Sequence, residues 1–414
     1  MAITSSVVLT RGLGRSYGDS SLPPPDTGPV ASCVLADRVL SFDETTGALT
    51  AEAGLTIGEI QHLYLARGWT FPVLPGTQFV TLGGAIASDV HGKNHHVGGS
   101  VGNHVTGFKI HLADGRLIDC SRHQNESLFR ATLGGMGLTG HILEVSLRLQ
   151  RAPSPWIWSE SERVSGLDDF IAALRAAADD WPFTVGWLDA LARGRWLGRG
   201  ILMKGRWAEP DEAPREAPPP LRRLTVPIQF PGWALNRLSV RLFNELYFRK
   251  HPRKAKQGIV HPESFFHPLD AILHWNRIYG RRGFTQHQCV LPEHERPGAT
   301  QRYLEALTRL GLASFLCVIK DCGAEGEGML SFPRPGISIA VDLPMRKDIQ
   351  QVVDELNQLV IAEGGRIYLT KDTVSRPEHF RAMETRLDDF LDERRQWDPH
   401  GRIRSAQSVR LFGD

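Results

Sequence analysis

Glycine-rich turns that follow short β-forming runs constrain the first part of the chain more than any other feature. They read "RGLGRSYGDS" at 11–20, "TLGGAIASDVHGKNHH" at 81–96 and "LGGMGLTG" at 133–140. Because glycine lacks a Cβ, such turns bring the main chain close to a bound anion or a flat ring. The stretch at 81–96 also carries three histidines. It therefore allows three interpretations: a metal site, a phosphate-binding loop, or a surface against which a planar group lies.

The size and charge of the chain limit the classes of protein that it can belong to. At 414 residues it exceeds the length at which one hydrophobic core keeps growing, so we expect two domains. Hydrophobic residues at 41% and charged residues at 23% are typical of a globular protein. The net charge of +2 is far from the strongly basic surface of a general nucleic-acid binder, so no nucleic-acid partner is predicted.

The cysteines and the N-terminal residues bear on the cellular compartment. Five cysteines are scattered without a CxxC pair, which is typical of free thiols in a reducing compartment. The first residues lack a basic stretch and a cleavage-site pattern, so we expect no signal peptide. No window approaches the roughly 18 consecutive apolar residues of a transmembrane helix. The sequence therefore predicts a cytoplasmic protein without a transmembrane segment.

The residues up to about 150 predict short strands with a few helices between them. "TIGEIQHLYLARG" predicts a helix that Thr56 caps and Gly68 ends. The predicted apolar face of this helix consists of Ile57, Ile60, Leu63 and Tyr64. Asp114-Gly115 lies between two β-forming runs and predicts a hairpin.

The composition and pattern of the sequence change beyond residue 153. "RYLEALTRLG" and "KDIQQVVDELNQLVIAEGG" predict amphipathic helices, and the segment at 208–223 is rich in proline and charge, which predicts an exposed loop. Strands are predicted at 284–291, 314–320 and 337–343. We therefore predict an α+β fold with a first domain at 1–153, a second domain built on an antiparallel sheet at 154–365, and a return to the first domain at 366–414.

The first glycine-rich loop does not fit the dinucleotide-binding motif. Gly12, Gly14 and Gly18 are spaced one residue too widely for GxGxxG, and no clear helix follows. A nicotinamide Rossmann site is therefore disfavoured. A phosphate-binding loop and an ordinary turn both stay open.

The histidines of the second loop are poorly spaced for a metal. His91 and His95 would share one face only on a helix, and Gly92 and Asn94 oppose a helix between them. His96 adds no further spacing typical of a metal site. We therefore predict no metal, while a solvated polar loop and a surface for a planar ring stay open.

Together these motifs resemble the FAD-binding domain of the vanillyl-alcohol oxidase superfamily. The similarity continues through "FFHPLD", "HWNRIYG", "GFTQHQCVLP", "LSFPRPG" and "RIYLTKD", and it is strongest toward the flavin-dependent oxidases of decaprenylphosphoryl-β-D-ribose. The resemblance implies a two-domain flavoprotein with an α+β substrate domain. "HGKNHH" is the most specific of the motifs. The glycine-rich loops alone would indicate the superfamily but not the closer family within it.

The resemblance also implies an activity. A polyprenylphosphoryl-β-D-ribose would be oxidised at its 2'-hydroxyl to the 2'-keto sugar, as the first half of an epimerisation to arabinose for the bacterial cell wall. An NADH-dependent reductase would be the partner that completes it, and the lipid substrate implies peripheral contact with the inner face of the membrane. Oxidation of a soluble sugar or alditol stays open, as does a catalytically silent flavoprotein.

The cofactor implied by the resemblance is FAD, held without a covalent bond, with its pyrophosphate on the main-chain N–H groups of residues 10–20 and 81–84. Relatives that bind flavin covalently often have a histidine in the first loop, where Arg15 and Ser16 stand here. The resemblance assigns FAD contacts to main-chain loops, the ring-facing stretch and the C-terminal return, namely Thr10, Arg11, Gly12, Leu13, Gly14, Arg15, Ser16, Tyr17, Gly18, Asp19, Ser20, Gly76, Thr81, Leu82, Gly83, Gly84, Ser88, Asp89, Val90, His91, Gly140, Ile142 and Tyr368.

Alcohol oxidation requires an acceptor for hydride, a base for the hydroxyl proton, and a fixed cation for the negative charge that develops on the flavin. The resemblance assigns catalytic roles to Lys371, as that cation, and to His91 and Tyr17; the base stays open between His91 and a lysine. The residues implied to bind substrate are Lys93, Trp187, Tyr279, Gln286, Gln288, Lys320, Ala340 and Lys371. Lys93 would bind the substrate phosphate or support its own loop.

The chain departs from the family pattern in several places. It begins almost at the first phosphate loop, which fits either a truncated start or a shortened FAD domain. Ala340 stands where the family has a pocket cysteine, Ser338 where it has an asparagine, and Cys322 where it has an aromatic residue. These departures bear on the identity of the lipid-sugar rather than on the flavin chemistry.

Overall fold

The computed structural model of the protein describes residues 9–25, 28–252 and 254–414. Its strands, β1 to β19 in chain order, are Leu9–Arg11, Val30–Ser32, Val39–Phe42, Ala48–Glu52, Trp69–Thr70, Val105–His111, Leu117–Cys120, His141–Arg148, Gln150–Arg151, Ile157–Val164, Phe183–Leu188, Gly200–Trp207, Leu224–Thr225, Lys256–Val260, Ile272–Leu273, Phe284–Leu291, Cys317–Cys322, Gly336–Pro344 and Arg366–Ile367. Its α-helices, α1 to α12, are Ile57–Tyr64, Leu82–Ala87, His95–Gly98, Glu126–Thr132, Leu167–Ala178, Arg237–Lys250, Pro262–Phe266, Ala299–Arg309, Ile349–Ala362, Pro377–Met383, Leu387–Trp397 and Ala406–Phe412. Short 3-10 helices cover Leu65–Arg67, Val101–His104, Gly194–Trp196, Pro268–Ala271 and Trp275–Tyr279.

The first large sheet has five strands in the order β3-β4-β8-β6-β7, all paired antiparallel. Strands β6 and β7 form the hairpin predicted at Asp114-Gly115, and Gly115 has the positive φ of +93° that this tight turn requires. Apolar residues of this sheet pack with α1, α2 and α4 in one core. Strands β1 and β2 pair in parallel, and β1 leads into the first glycine-rich loop.

The second large sheet has eight strands in the order β14-β10-β12-β11-β17-β18-β16-β19, again antiparallel. Its two faces differ because side chains alternate along each strand. On β18, Ile339 and Val341 join a core with α5, α8 and α9. Ser338 and Ala340 point to the opposite face, which we call the outer face of this sheet. The α+β prediction is therefore confirmed, and the three predicted strands at 284–291, 314–320 and 337–343 all belong to this sheet.

Helix α1 confirms the predicted cap but not the whole predicted face. The Thr56 side chain accepts from the Glu59 N–H while the Glu59 carboxylate accepts from the Thr56 N–H, which is a capping box. Gly68, at φ +80°, ends the following 3-10 turn. Leu63 was predicted on the buried face and is exposed, because at about 100° per residue it lies on the flank of the face that Ile57, Ile60 and Tyr64 form.

The C-terminal return crosses between the two sheets. Strand β19 is still the edge strand of the eight-stranded sheet, beside β16. Past it, Thr370 O accepts from the Tyr17 N–H at 2.9 Å, and the Tyr368 hydroxyl donates to Ser88 O at 2.9 Å. Arg410 of α12 then binds the carboxylates of Asp19 and Asp372. The tail thus fastens the first glycine-rich loop to the outer face of the second sheet.

Candidate active site

A cavity of about 1470 Å³ lies between the glycine-rich loops and the outer face of the eight-stranded sheet. Drug-sized ligands occupy pockets of roughly 300–1,000 Å³, so this cavity has room for a large cofactor together with a substrate. Its walls include the first loop, the second loop with α2, one face of the eight-stranded sheet, the C-terminal return, and parts of the segment 230–278, among them residues of α6.

The first glycine-rich loop offers main-chain donors to the cavity. The N–H groups of residues 13 to 16 have no hydrogen-bond partner among the described residues, and Gly14 is left-handed at φ +61°. Gly12 lies so close to Thr81 that a Cβ would come within 2.3 Å of the Thr81 hydroxyl. Unpaired N–H groups on a loop of this shape suit an anionic group.

The second loop lines the cavity with small residues, but its N–H groups at 82–84 are bound within the protein. We expected residues 81 to 84 to bind phosphate through the main chain. Instead, the N–H groups of Leu82 and Gly83 donate to Leu55 O and Ala53 O, each at 2.8 Å, and that of Gly84 donates to the Thr81 hydroxyl. Because these donors hold α2 onto the five-stranded sheet, they do not face a ligand.

Most of the residues predicted to contact FAD line this cavity. They are Thr10, Arg11, Gly12, Leu13, Gly14, Arg15, Ser16, Tyr17, Ser20, Gly76, Thr81, Gly83, Gly84, Ser88, Val90, His91, Gly140, Ile142 and Tyr368. Four others lie behind the wall, each with a structural partner: Gly18 against the main chain of Asp372, Asp19 on Arg410, Leu82 in the core, and Asp89 on Ser100 and Ser331.

The three histidines of the second loop point to three different partners. His91 Nε2 accepts from the Gln288 amide at 2.9 Å, His95 Nδ1 accepts from the Gly323 N–H, and His96 Nε2 lies 2.9 Å from Trp181 O. Helix α3 begins only at His95, so His91 is not on the same helix face. Within 9–25, 28–252 and 254–414, no group of three or more His, Cys, Asp or Glu side chains could hold a metal ion.

His91 is a buried, neutral histidine on the cavity wall. Burial, followed by the nearby charge of Lys320, lowers its pKa well below the usual value. Its ring lies 5.5 Å from that of Tyr368 and 5.6 Å from that of Phe332. Its Nδ1 has no hydrogen-bond partner among the described residues. The Gln288 amide therefore fixes one ring nitrogen and leaves the other unpaired.

Lys371 lies at the junction of the first loop and the sheet. Its ammonium group is 3.6 Å from the centroid of the Tyr17 ring, which is a cation–π contact. Burial lowers the pKa of Lys371 to about 8, opposed by the nearby carboxylate of Asp342. The pKa of the Tyr17 hydroxyl is raised, mainly by burial, so this tyrosine stays neutral.

Two other lysines line the cavity, Lys93 and Lys320, and among the described residues Lys93 has a hydrogen-bond partner. The Lys93 ammonium donates to Phe266 O at 2.9 Å, and burial lowers its pKa to about 7. This contact favours the second of the two roles left open above, support of the loop. Lys320 on β17 faces the cavity, and burial lowers its pKa as well.

The polar wall between the lysines is built on neighbouring strands. Gln286 and Gln288 of β16 both line the cavity, as their alternation predicted, and Ala340 is the register partner of Gln288 on β18. Trp187 lines the wall with its Nε1 donating to Phe315 O at 2.9 Å. Tyr279 lies behind the wall instead, donating to Asp342 Oδ2 at 2.7 Å.

Asp342 is a site residue that the sequence reasoning missed. It is fully buried and accepts from both Tyr279 and Gln286, the latter at 2.5 Å. Burial raises its pKa to about 6. The signal was present, since Asp342 lies two positions after Ala340 and therefore on the same face of its strand. Further aromatic residues that line the cavity, among them Phe230 and Phe243, were also missed because they follow the irregular Pro-rich segment.

Comparisons with known proteins identify the family. The model of an FAD binding domain matches residues 3–121. A decaprenylphosphoryl-β-D-ribose oxidase from Mycolicibacterium smegmatis is 35% identical over 98% of this chain and 89% of its own length. The chain belongs to the decaprenylphosphoryl-β-D-ribose oxidase family.

Other relatives extend the comparison. A Streptomyces coelicolor protein described as the uncharacterized protein in the mprA 5' region is 32% identical over 86% of this chain and 100% of its own. A putative D-arabinono-1,4-lactone oxidase from Neurospora crassa is 33% identical over 37% of this chain and 27% of its own. As a member of the decaprenylphosphoryl-β-D-ribose oxidase family, the protein is an FAD-dependent oxidoreductase that acts on CH–OH groups.

The residues present fit FAD. The loop at 13–16 supplies unpaired N–H groups suited to the pyrophosphate, and Gly83 and Gly84 line the same cavity as this loop and His91. The side chains beyond His91 are polar or cationic, as a sugar pocket requires. No helix in the described residues is long and apolar enough to cross a membrane.

Proposed function

We propose that the protein oxidises the 2'-hydroxyl of a polyprenylphosphoryl-β-D-ribose to the 2'-keto sugar. The observation that carries the proposal is that Lys371, Gln288 and Lys320 line the same cavity as apolar side chains such as Phe230 and Phe243. A phosphorylated sugar with a lipid tail has the same division into a polar head and an apolar chain. The relative from Mycolicibacterium smegmatis carries this activity in its name.

The bound FAD supplies the hydride acceptor. Residues of this chain would do the rest. Lys371 would be the fixed cation that favours negative charge developing during oxidation, and Gln286 and Gln288 would hold the sugar hydroxyls. A preorganised cation in a buried site acts without reorganising at the moment of reaction. His91 is neutral and held by Gln288, so it would position the reacting hydroxyl or take its proton.

We infer that the chain divides as its sequence suggests, into an FAD-binding part at 1–153 that the return at 366–414 completes, and a substrate domain at 154–365. The contacts of Tyr368 with Ser88, and of Arg410 with Asp19, support this return. The keto sugar would then be reduced by an NADH-dependent partner enzyme, since oxidation alone removes a stereocentre and cannot invert it. The lipid-linked substrate would bring the protein into peripheral contact with a membrane.

Anaerobic titration tests the activity. Polyprenylphosphoryl ribose should bleach the flavin absorbance, and the product should lack two hydrogen atoms in its mass spectrum. With the reductase absent, the keto sugar should accumulate. The second candidate is oxidation of a soluble sugar or lactone, which the Neurospora crassa relative favours. Bleaching by a free sugar or alditol, with no response to the lipid-linked sugar, would select that candidate.

A further inference from the structure

Helix α6, Arg237–Lys250, carries an apolar stripe on its solvent-facing side. Leu238, Leu242 and Leu246 are four residues apart and therefore lie on one face, with exposed fractions of 77%, 60% and 61%. A surface helix of a globular protein normally turns such a stripe toward the core. Here the apolar stripe points the other way.

The orientation of α6 is fixed by its opposite face. Val240 and Asn244 are buried there, and the Asn244 amide donates to Asp189 Oδ1 at 2.7 Å. Arg199 joins the same Asp189 to Glu245 of the helix, each at 2.7 Å. Turning the leucines inward would break these contacts, so packing keeps the stripe in solvent.

The chain just before α6 carries further exposed apolar side chains. Leu224, Ile228 and Trp233 are exposed by 70%, 68% and 78%. We call these three residues and the three leucines of α6 the apolar face. Six large, mostly exposed apolar side chains within 23 residues of the chain are the kind of surface that marks an interaction site.

Positive charge surrounds the apolar face. Residues 222–256 contain nine lysines and arginines but only one acidic residue, in a chain whose net charge is +2. Arg222, Arg237, Arg241 and Lys250 are all exposed. An apolar surface rimmed by basic side chains complements a bilayer that carries anionic headgroups.

The apolar face continues into the cavity. Phe230, Leu235 and Phe243 alternate in sequence with its members and line the cavity wall. A lipid chain could therefore pass along apolar side chains from a bilayer into the cavity that Gln288, Lys320 and Lys371 line. A protein partner that docks on the surface would not need apolar side chains that lead into the cavity, so they favour a lipid.

We propose that the apolar face rests on a membrane rich in anionic lipid, with its leucines and Trp233 below the headgroups and the arginines among the phosphates. The evidence for membrane binding is the sequence and exposure of α6 and does not depend on the proposed function. The purpose of this binding, delivery of the lipid-linked sugar, does depend on the proposed function. No covalent anchor is needed, because apolar burial and charge attraction together hold a peripheral protein on a bilayer.

Vesicle sedimentation tests the proposal with the FAD-loaded full-length protein. The protein should pellet with phosphatidylglycerol/phosphatidylcholine vesicles and much less with pure phosphatidylcholine. Combining Leu238→Ser, Leu242→Ser and Leu246→Ser should lower the partition coefficient about tenfold or more. Arg237→Gln and Arg241→Gln should each lower it about fivefold, and less at high salt. The matched control is Leu117→Ser, at an exposed leucine of β7.

Three results would overturn the proposal: no pelleting with either vesicle, equal pelleting of the triple variant, or a dimer that the triple variant converts to monomer without changing vesicle binding. The triple variant should keep its FAD absorbance and its turnover of a water-soluble short-chain phosphoryl ribose, since the leucines lie outside the cavity. Vesicle binding that depends on the leucines, with no flavin reduction by any lipid-linked sugar, would remove the proposed substrate and leave the membrane surface in place.

Discussion

The Lys371 ammonium group lies 3.6 Å from the centroid of the Tyr17 ring, which joins the C-terminal return to the first glycine-rich loop across the cavity. The Tyr17 N–H also donates to Thr370 O, so main chain and side chain make the same connection. A lysine on a flexible four-carbon stem needs such a support to act as a fixed charge.

Replacing Lys371 by alanine should lower kcat roughly 100- to 1000-fold, the loss expected for a missing oxyanion donor. The protein should keep its FAD and stay folded, because the ammonium group lies over one ring, that of Tyr17, and the main-chain bond from Tyr17 to Thr370 remains in the variant. Stopped-flow measurement of flavin reduction gives the rate. Lys347→Ala, at an exposed lysine, is the control. Near-normal reduction by the alanine variant would show that Lys371 is not the cation.

The rate should depend on pH on both sides of neutrality. Burial lowers the pKa of Lys371 to about 8, so its positive charge and the activity should fall as pH rises through that value. Burial raises the pKa of Asp342 to about 6, so below that pH its carboxylate takes a proton and can no longer accept from both Tyr279 and Gln286. The pH profile of kcat should therefore be bell-shaped.

Asp342→Asn separates the two limbs of this profile. The amide does not titrate, so the acid limb should flatten. The alkaline limb should remain but move below pH 8, because the Asp342 carboxylate no longer raises the pKa of Lys371. An unchanged acid limb in the variant would assign that limb to another group. Loss of the alkaline limb in the same variant would contradict its assignment to Lys371.

Gly12→Ala should weaken FAD binding. A Cβ there would come within 2.3 Å of the Thr81 hydroxyl, so the loop must move away from α2 or Thr81 must rotate out of its cap. The ratio of flavin absorbance to protein absorbance after dialysis measures the loss. Gly232→Ala, where a Cβ would meet nothing within 4 Å, is the control. Full FAD occupancy in the Gly12 variant would mean that the loop adapts without cost to the cofactor.

The parts of the fold that follow local rules were predictable. Thr56 and Gly68 bound a helix because their side-chain chemistry and conformational freedom act over a few residues. The exposure of Leu63 was not predictable, since it depends on how wide a stripe of α1 packs into the core of the first sheet. The N–H groups of Leu82 and Gly83 were assigned to phosphate, but their partners lie in the strand-to-helix segment at 53–55, which local sequence does not reveal.

The site was predictable where residues alternate on one strand. Gln286 and Gln288 share a face by the geometry of any strand, and Asp342 could have been found by the same rule from Ala340. The role of Lys93 could not, because its partner, Phe266 O, is 173 residues away in the chain. Long-range contacts of this kind decide whether a polar residue supports a loop or meets a ligand.

Acid precipitation should release all the flavin into the supernatant. Arg15 and Ser16 occupy the part of the first loop where covalently flavinylated relatives carry a histidine, and neither side chain is a nucleophile suited to flavin. The absorbance of the supernatant and the fluorescence of the washed pellet measure the two fractions. His91 is the internal check, because its Nδ1 is unpaired among the described residues. Flavin retained in the pellet, mapped by peptide mass to His91, would contradict the prediction.

Ala340 should make the protein resistant to covalent capture by nitroaromatic compounds. The resemblance implies a pocket cysteine at this position in relatives, which traps such compounds after the flavin has reduced their nitro group to an electrophile. The Ala340 methyl group lines the cavity but cannot form that bond. All five cysteines of the chain are buried. Burial raises the pKa of Cys322 to about 12, and that of Cys317 above its usual value, so neither thiolate forms readily.

Intact-mass measurement after turnover with a nitroaromatic compound should therefore find the unmodified mass, and Ala340→Cys should gain one adduct. Cys33 provides the strongest challenge, because it lines the cavity at the first loop, although burial raises the pKa of its thiol. Cys33→Ser in the Ala340→Cys background should leave that adduct in place, which separates the two thiols. A stoichiometric adduct on the unaltered chain that Cys33→Ser removes would mean that the reactive electrophile reaches the first loop rather than β18.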